Sequence, residues 1–166
     1  IKTHKIPALA KLQIAAGAVG VTAQKISEAE AIISEGGIDD VLITYNIIGE
    51  QKLRALRNLC EKVKVSVVAD SSFCIKGLSK TFEGAKEALH ELIECDMAEL
   101  INRSPGLIFG GLMTYPPTSQ AQKINSFLTD AKKLIEAKNI AVNTVSIGGS
   151  PDMWKVKDIP VATEYR

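Results

Sequence analysis

No apolar run in this sequence approaches the roughly 20 residues that a membrane-spanning helix needs, and no signal-peptide pattern opens it. Charge of one sign is lacking as well. The 20 basic and 19 acidic residues leave a formal net charge of +1, so the chain has no electrostatic footprint for nucleic acid or for an anionic membrane. Cysteine is scarce: Cys60, Cys74 and Cys95 are an odd set without C-x-x-C spacing. That argues against a disulfide framework and a zinc ribbon, and for reduced thiols in a cytoplasmic protein. The first residue is Ile1 rather than methionine, which leaves open whether a segment, targeting signal included, precedes it. What is present in quantity is apolar. With 46% hydrophobic residues over 166 positions, the chain can bury the core of one soluble domain, or of most of a larger one.

Strand-like apolar runs recur at Ala18–Thr22, Asp40–Tyr45, Val63–Val68, Leu92–Cys95, Leu107–Leu112 and Val142–Ile147, and the opening Ile1–Lys5 makes seven. Helical periodicity fills most of the gaps, as in Ala8, Leu9, Leu12, Ala15 and Ala16, or in Leu53, Leu56, Leu59 and Val63. Ser27 and Glu30 have the spacing of a capping box, and Gly36-Gly37 would end the helix that it starts. A further helix is predicted from near Ser119 to about Lys138, with Ile124, Phe127, Leu128, Ala131, Leu134 and Ile135 as its buried stripe. Alternating strands and helices imply parallel strands, and seven in a row predict an α/β fold of the TIM-type (β/α)8 barrel class. An eighth strand is expected and not found. One connection is short: about nine residues follow Met97 before the next strand, where a parallel crossover takes a dozen or more. An omitted segment after Met97 is therefore expected.

In such barrels the chemistry sits at the C-terminal ends of the strands. The residues there are Lys2 and His4, Thr22, Tyr45 and Asn46, Asp70 and Ser71, Cys95 and Asp96, Thr114 and Tyr115, and Gly148-Gly149-Ser150. In an extended strand Lys2 and His4 share one face, and a lysine beside another nitrogen base in an apolar pocket has its pKa lowered, which suits a Schiff-base nucleophile. The bland alternative is a basic, solvated chain end. Gly148-Gly149-Ser150 can offer successive amides and a hydroxyl to an anion, where these barrels often bind phosphate, or it is an ordinary turn. Tyr115 before Pro116-Pro117 either packs on its loop or meets a cofactor. Asp70, Ser71 and Ser72 include a helix cap, Tyr45 and Asn46 are equally turn residues, and Cys95 reads as a buried strand residue with Asp96 a weaker candidate at its tip. Met153 and Trp154 are expected to pack in a loop. His90, on the far side of its strand, is expected to be structural.

Several segments, in order over nearly the whole chain, carry a resemblance. They are Ile1-Lys2-Thr3-His4-Lys5, Ala16-Gly17-Ala18-Val19-Gly20-Val21-Thr22, Glu28-Ala29-Glu30, Gly37–Ile43, Ile93-Glu94-Cys95-Asp96, Gly110–Tyr115 and Gly148-Gly149-Ser150-Pro151. Together they resemble the D-threonine aldolase and D-serine dehydratase-like group of fold-type III pyridoxal-phosphate enzymes, relatives of the alanine racemase N-terminal barrel. The resemblance implies that residues 1–166 are a partial cofactor-binding barrel domain in which Lys2 carries pyridoxal 5′-phosphate as a Schiff base. It implies that Gly148, Gly149 and Ser150 hold the phosphate, that Tyr115 contacts cofactor or substrate, and that His4 lies beside the lysine. The implied activity is a lyase reaction on D-3-hydroxy amino acids. Retro-aldol cleavage to glycine and an aldehyde is favoured over dehydration, with a non-catalytic cofactor-binding module as the further alternative, and a homodimer is the expected assembly. Two features depart from the group: the glycine-rich loop with an arginine that follows Ile-Glu-Cys-Asp is not there, nor is the β-rich C-terminal domain carrying the ligands of a divalent metal (manganese or zinc).

Overall fold

The computed structural model describes residues 4–93 and 97–166. Seven strands alternate with helices and lie side by side in chain order, every neighbouring pair parallel. The strands are β1 (Val21–Ala23), β2 (Asp40–Ile43), β3 (Lys64–Ala69), β4 (Leu89–Ile93), β5 (Leu107–Thr114), β6 (Val145–Ile147) and β7 (Glu164–Tyr165). The helices are α1 (Pro7–Ala15), α2 (Ile26–Ile33), α3 (Glu50–Cys60), α4 (Ser72–Phe82), α5 (Ala98–Asn102) and α6 (Ala121–Glu136), and a 3₁₀ helix, Ser150–Asp158, joins β6 to β7. This is a curled, incomplete barrel of the TIM type, as the strand–helix rhythm predicted, but its seven strands are not the expected seven. Six of those form, the opening pentapeptide lies largely outside the described residues, and β7 is a strand the periodicity did not find.

Period-two alternation sorts the sheet into two faces. Val41, Ile43, Val65 and Val67 point toward the helices, where they join Leu56, Leu59, Ile75, Leu78 and Phe82 in the main core. The intervening Leu42, Leu92 and Met113, with Val68 against them, form a small second cluster on the concave side. Leu42 and Leu92 stand on strands two apart, and the curl of the sheet brings such residues together.

Local chemistry explains the element ends. Pro7 opens α1 with its preset φ, and Ser71 caps α4 by accepting from the Cys74 amide at 3.3 Å. The predicted capping box does not form. α2 starts at Ile26 with Lys25 as N-cap, so Glu28 rather than Glu30 occupies the third helical position, where it accepts from the Gln24 amide at 3.0 Å. Glu28 also pairs with Lys5 at 2.9 Å, and this contact is the main reason its carboxyl is held below the usual range.

Other differences have physical reasons. β1 begins at Val21 because Ala18 is drawn into a turn by donating to the Gln13 carbonyl at 3.0 Å, which leaves Val19 exposed. β4 starts at Leu89, so His90 lies within the strand, half-buried near its N-terminal end. Residues 94–106 then separate β4 from β5, about the dozen that a parallel crossover takes, and among the described residues of that stretch the helix is the five-residue Ala98–Asn102. On α6, Leu128 and Ile135 are buried, whereas Phe127 and Leu134 are 48% and 66% exposed on the flank facing the short α5. On α1 only Ala10 is buried, and Leu12 is exposed. Met153 and Trp154 stand out from the 3₁₀ helix instead of packing, Trp154 being 88% exposed.

Candidate cofactor site

The C-terminal strand ends bring two of the predicted elements side by side. β5 and β6 pair through Thr114 and Ile147, so the residues that follow, Tyr115 and Gly148, emerge as neighbours. A Cβ on Gly148 would fall 2.8 Å from Cε1 of Tyr115 and 2.5 Å from the Arg166 carbonyl oxygen. The tyrosine ring and the end of β7 thus close on a position that only glycine fits. Gly149 follows with φ of +138°, a conformation in which side-chain-bearing residues are strained, and leads directly into the 3₁₀ helix. The side chain of Ser150 lies outside the described part of the structure.

His4 and Lys5 do not lie in an extended strand. His4 sits in a turn, its Nδ1 accepts from the Ile6 amide at 3.1 Å, and Lys5 has φ of +53°. Lys2 lies outside the described residues, as do Cys95 and Asp96. Tyr45 and Asn46 belong elsewhere. They line a separate cavity of about 550 Å³ between α2 and α3, together with Lys25, Ser27, Gln51 and Ala55. Asp70 is exposed just ahead of α4, and Thr22 lies in the middle of β1, half-buried.

The strand after the 3₁₀ helix adds residues that periodicity did not single out. The Tyr165 hydroxyl donates to the Gly149 carbonyl, and Arg166 pairs with Glu164, its Nη2 standing 2.8 Å from Oε2. Burial, the largest single influence, would raise the Glu164 carboxyl, yet Arg166 together with Ser146 and Lys64 outweighs it and the group is held below the usual range. A two-residue strand gives no alternation to detect, and its only sequence signal is the polar-aromatic run Thr163-Glu164-Tyr165-Arg166.

One buried acid lies in the sheet. Glu91 on β4 is fully buried, neither carboxylate oxygen has a hydrogen-bond partner, and burial pushes its pKa up to about 8. The folded chain binds this proton more tightly than the unfolded chain does, so the stability it contributes is complete below about pH 4.5 and is lost as pH rises to about 8. The urea midpoint should therefore fall across that window, and Glu91→Gln should flatten the fall. An unchanged slope in the glutamine variant would assign the pH dependence to another group.

No family-level sequence profile matches the chain. Individual proteins do: it is 27% identical to the D-threonine aldolase of Arthrobacter sp over 176 aligned residues, covering 90% of this chain and 46% of that protein. The chain is a relative of D-threonine aldolase. It is also 32% identical over 132 residues to a 3-hydroxy-D-aspartate aldolase of Paracoccus denitrificans, covering 69% of this chain and 34% of that protein. The crystal structure of D-threonine aldolase from Filomicrobium marinum superposes with a TM-score of 0.91 at 26% identity, over 99% of this chain and 52% of that one. The chain spans about half the length of these relatives or less. The Arthrobacter alignment is longer than the chain's own 166 residues, so that relative carries residues with no counterpart here. No helix among the described residues is long and apolar enough to cross a membrane.

Proposed function

We propose that this chain is the cofactor-binding barrel portion of a pyridoxal-phosphate-dependent lyase that cleaves D-3-hydroxy amino acids to glycine and an aldehyde. The observation that carries it is the cradle at Gly148, walled by the Tyr115 ring and the Arg166 carbonyl, beside a Gly149 turn with positive φ. The donor set suits the cofactor: a flat aromatic face next to a turn whose amides suit a phosphate. Kinship with the aldolases supplies the reaction class.

When bound, pyridoxal 5′-phosphate supplies a sink for the electron pair left on Cα as the Cα–Cβ bond breaks. The chain's own residues anchor and orient. Lys2 would hold the cofactor through its ε-amine, and Lys5 is unsuited to that role because its ammonium is engaged with Glu28 at 2.9 Å. Tyr115 would lie against the cofactor, the amides of the Gly148–Ser150 turn would face its phosphate, and His4 would stand beside the lysine. Among the described residues no group of three or more His, Cys, Asp or Glu is placed to hold a metal. The manganese or zinc expected for the full reaction belongs, in this reading, to the half of the relatives' length that the chain does not span. A homodimer is the proposed assembly.

The test uses the full-length protein, incubated with pyridoxal 5′-phosphate, reduced with borohydride and mapped by mass spectrometry. The label is expected on Lys2, and a label on Lys5, or none, would overturn the assignment. A panel of D-amino acids with and without Mn²⁺ then reads the reaction. Glycine and an aldehyde from D-threonine support the aldolase. Ammonia and a keto acid from a D-3-hydroxy amino acid would mean a dehydratase, and cofactor binding without turnover would mean a binding module.

A further inference from the structure

The turn proposed to hold the phosphate is fastened from behind. Tyr165 is the last residue of β7 and pairs with Ile147 across the sheet, and the next amide, Arg166 N–H, donates to the Ile147 carbonyl at 2.8 Å. Its ring packs against the main core on the helix side, and its hydroxyl reaches forward to the Gly149 carbonyl. Pro116, Val156 and Ile159 join Gly148, Gly149 and Tyr165 around a cavity of only about 40 Å³, so the rear of the turn has little room to rearrange.

Peptide geometry turns this contact into an orientation. No cis peptide bond occurs among the described residues, and in a trans peptide the C=O and the following N–H point in opposite directions. With the Gly149 carbonyl held toward Tyr165, the N–H of the same peptide, which belongs to Ser150, is turned away from it. Gly149 at φ +138° is the residue least able to hold that orientation unaided, because glycine has the widest choice of conformations.

We propose that Tyr165 is a positioning residue for the phosphate subsite: its hydroxyl fixes the Gly149–Ser150 peptide so that the amide faces a phosphate monoester. The inference rests on the cofactor reading above. It concerns the phosphate alone and not the lysine chemistry, which makes the two separable.

The experiment titrates full-length wild type, Tyr165→Phe and the exposed control Tyr45→Phe with pyridoxal 5′-phosphate and with pyridoxal, which lacks the phosphate. Binding is followed by absorbance and melting temperature is measured for each. Loss of one oriented hydrogen bond should weaken pyridoxal 5′-phosphate binding about three- to tenfold in Tyr165→Phe and leave pyridoxal binding unchanged. Tyr45→Phe should match wild type for both. Equal weakening toward both compounds, no weakening, or a variant that fails to fold would each overturn the proposal, because the hydroxyl would then be merely structural or idle. If wild type binds neither compound, the cofactor reading itself fails.

Discussion

Gly148→Ala should cost the protein most of its affinity for pyridoxal 5′-phosphate, at least about tenfold, together with about 1–3 kcal/mol of stability. The added methyl would meet two unlike obstacles. Cε1 of Tyr115 at 2.8 Å belongs to a side chain that is 40% exposed and can swing aside, at the expense of the ring's place over the turn. The Arg166 carbonyl at 2.5 Å belongs to the backbone of a residue whose own amide is bonded to Ile147 at 2.8 Å, so it retreats only by loosening the end of β7. Adding Tyr115→Ala to Gly148→Ala should for that reason fail to restore the melting temperature. Cofactor titration and thermal unfolding of the two variants check both halves. Wild-type affinity in Gly148→Ala would remove the cradle from the site.

Gly111→Ala is expected to be the more damaging change to the fold, by about 3–5 kcal/mol, a large share of the total stability of an ordinary domain. Gly111 sits in β5 where the register with β4 slips between Glu91 and Leu92, which leaves Gly110 without a partner on that side. Its φ is +139°, and a Cβ there would fall 2.1 Å from the Thr144 carbonyl oxygen. That oxygen accepts from the Leu112 amide at 2.9 Å, so moving it away breaks the first bond that ties β5 to the β6 side of the sheet. Gly36→Ala is the informative comparison. It also has positive φ, +74°, but open space around the new methyl, and should cost only about 1–2 kcal/mol. Urea unfolding at fixed pH compares the three proteins, and equal losses in both variants would assign the effect to φ alone rather than to the collision.

The central strands were legible because residue type and burial agree there: Val65, Val67 and Val68 in β3, or Leu107 and Leu112 in β5, are apolar over most of a strand's length. Tyr115 and Gly148 could be set near one another from sequence alone, since a parallel sheet puts successive strand ends at one edge. The ends of the sheet were harder. β7 is two residues long and exists because β6 offers it bonds, as when Thr163 donates to the Val145 carbonyl at 2.9 Å, so nothing local marks it. Tyr165 gains its role only when a turn sixteen residues earlier arrives beside it. The stripe on α6 was misread for the opposite reason. Periodicity counted Phe127 and Leu134 as core, but the neighbouring α5 is five residues long and does not reach far enough to cover them. His4 and Lys5 look strand-like in composition, and a hydrogen bond from the Ile6 amide and a positive φ override that.

The sheet's plain order, each strand beside its neighbour in sequence, has a consequence for how the site comes into being. Every pairing in the sheet joins segments that follow one another in the chain, with partners 18 to 33 positions apart, so each closure costs far less entropy than joining the two ends would. The proposed cofactor contacts do the reverse, spanning from Lys2 at one end of the chain to the Gly148–Ser150 turn near the other. No subset of strands holds both halves of the site. A bound cofactor would then act as a clasp on the finished sheet, tying first residues to last, and its gain in binding would be felt by the whole chain at once.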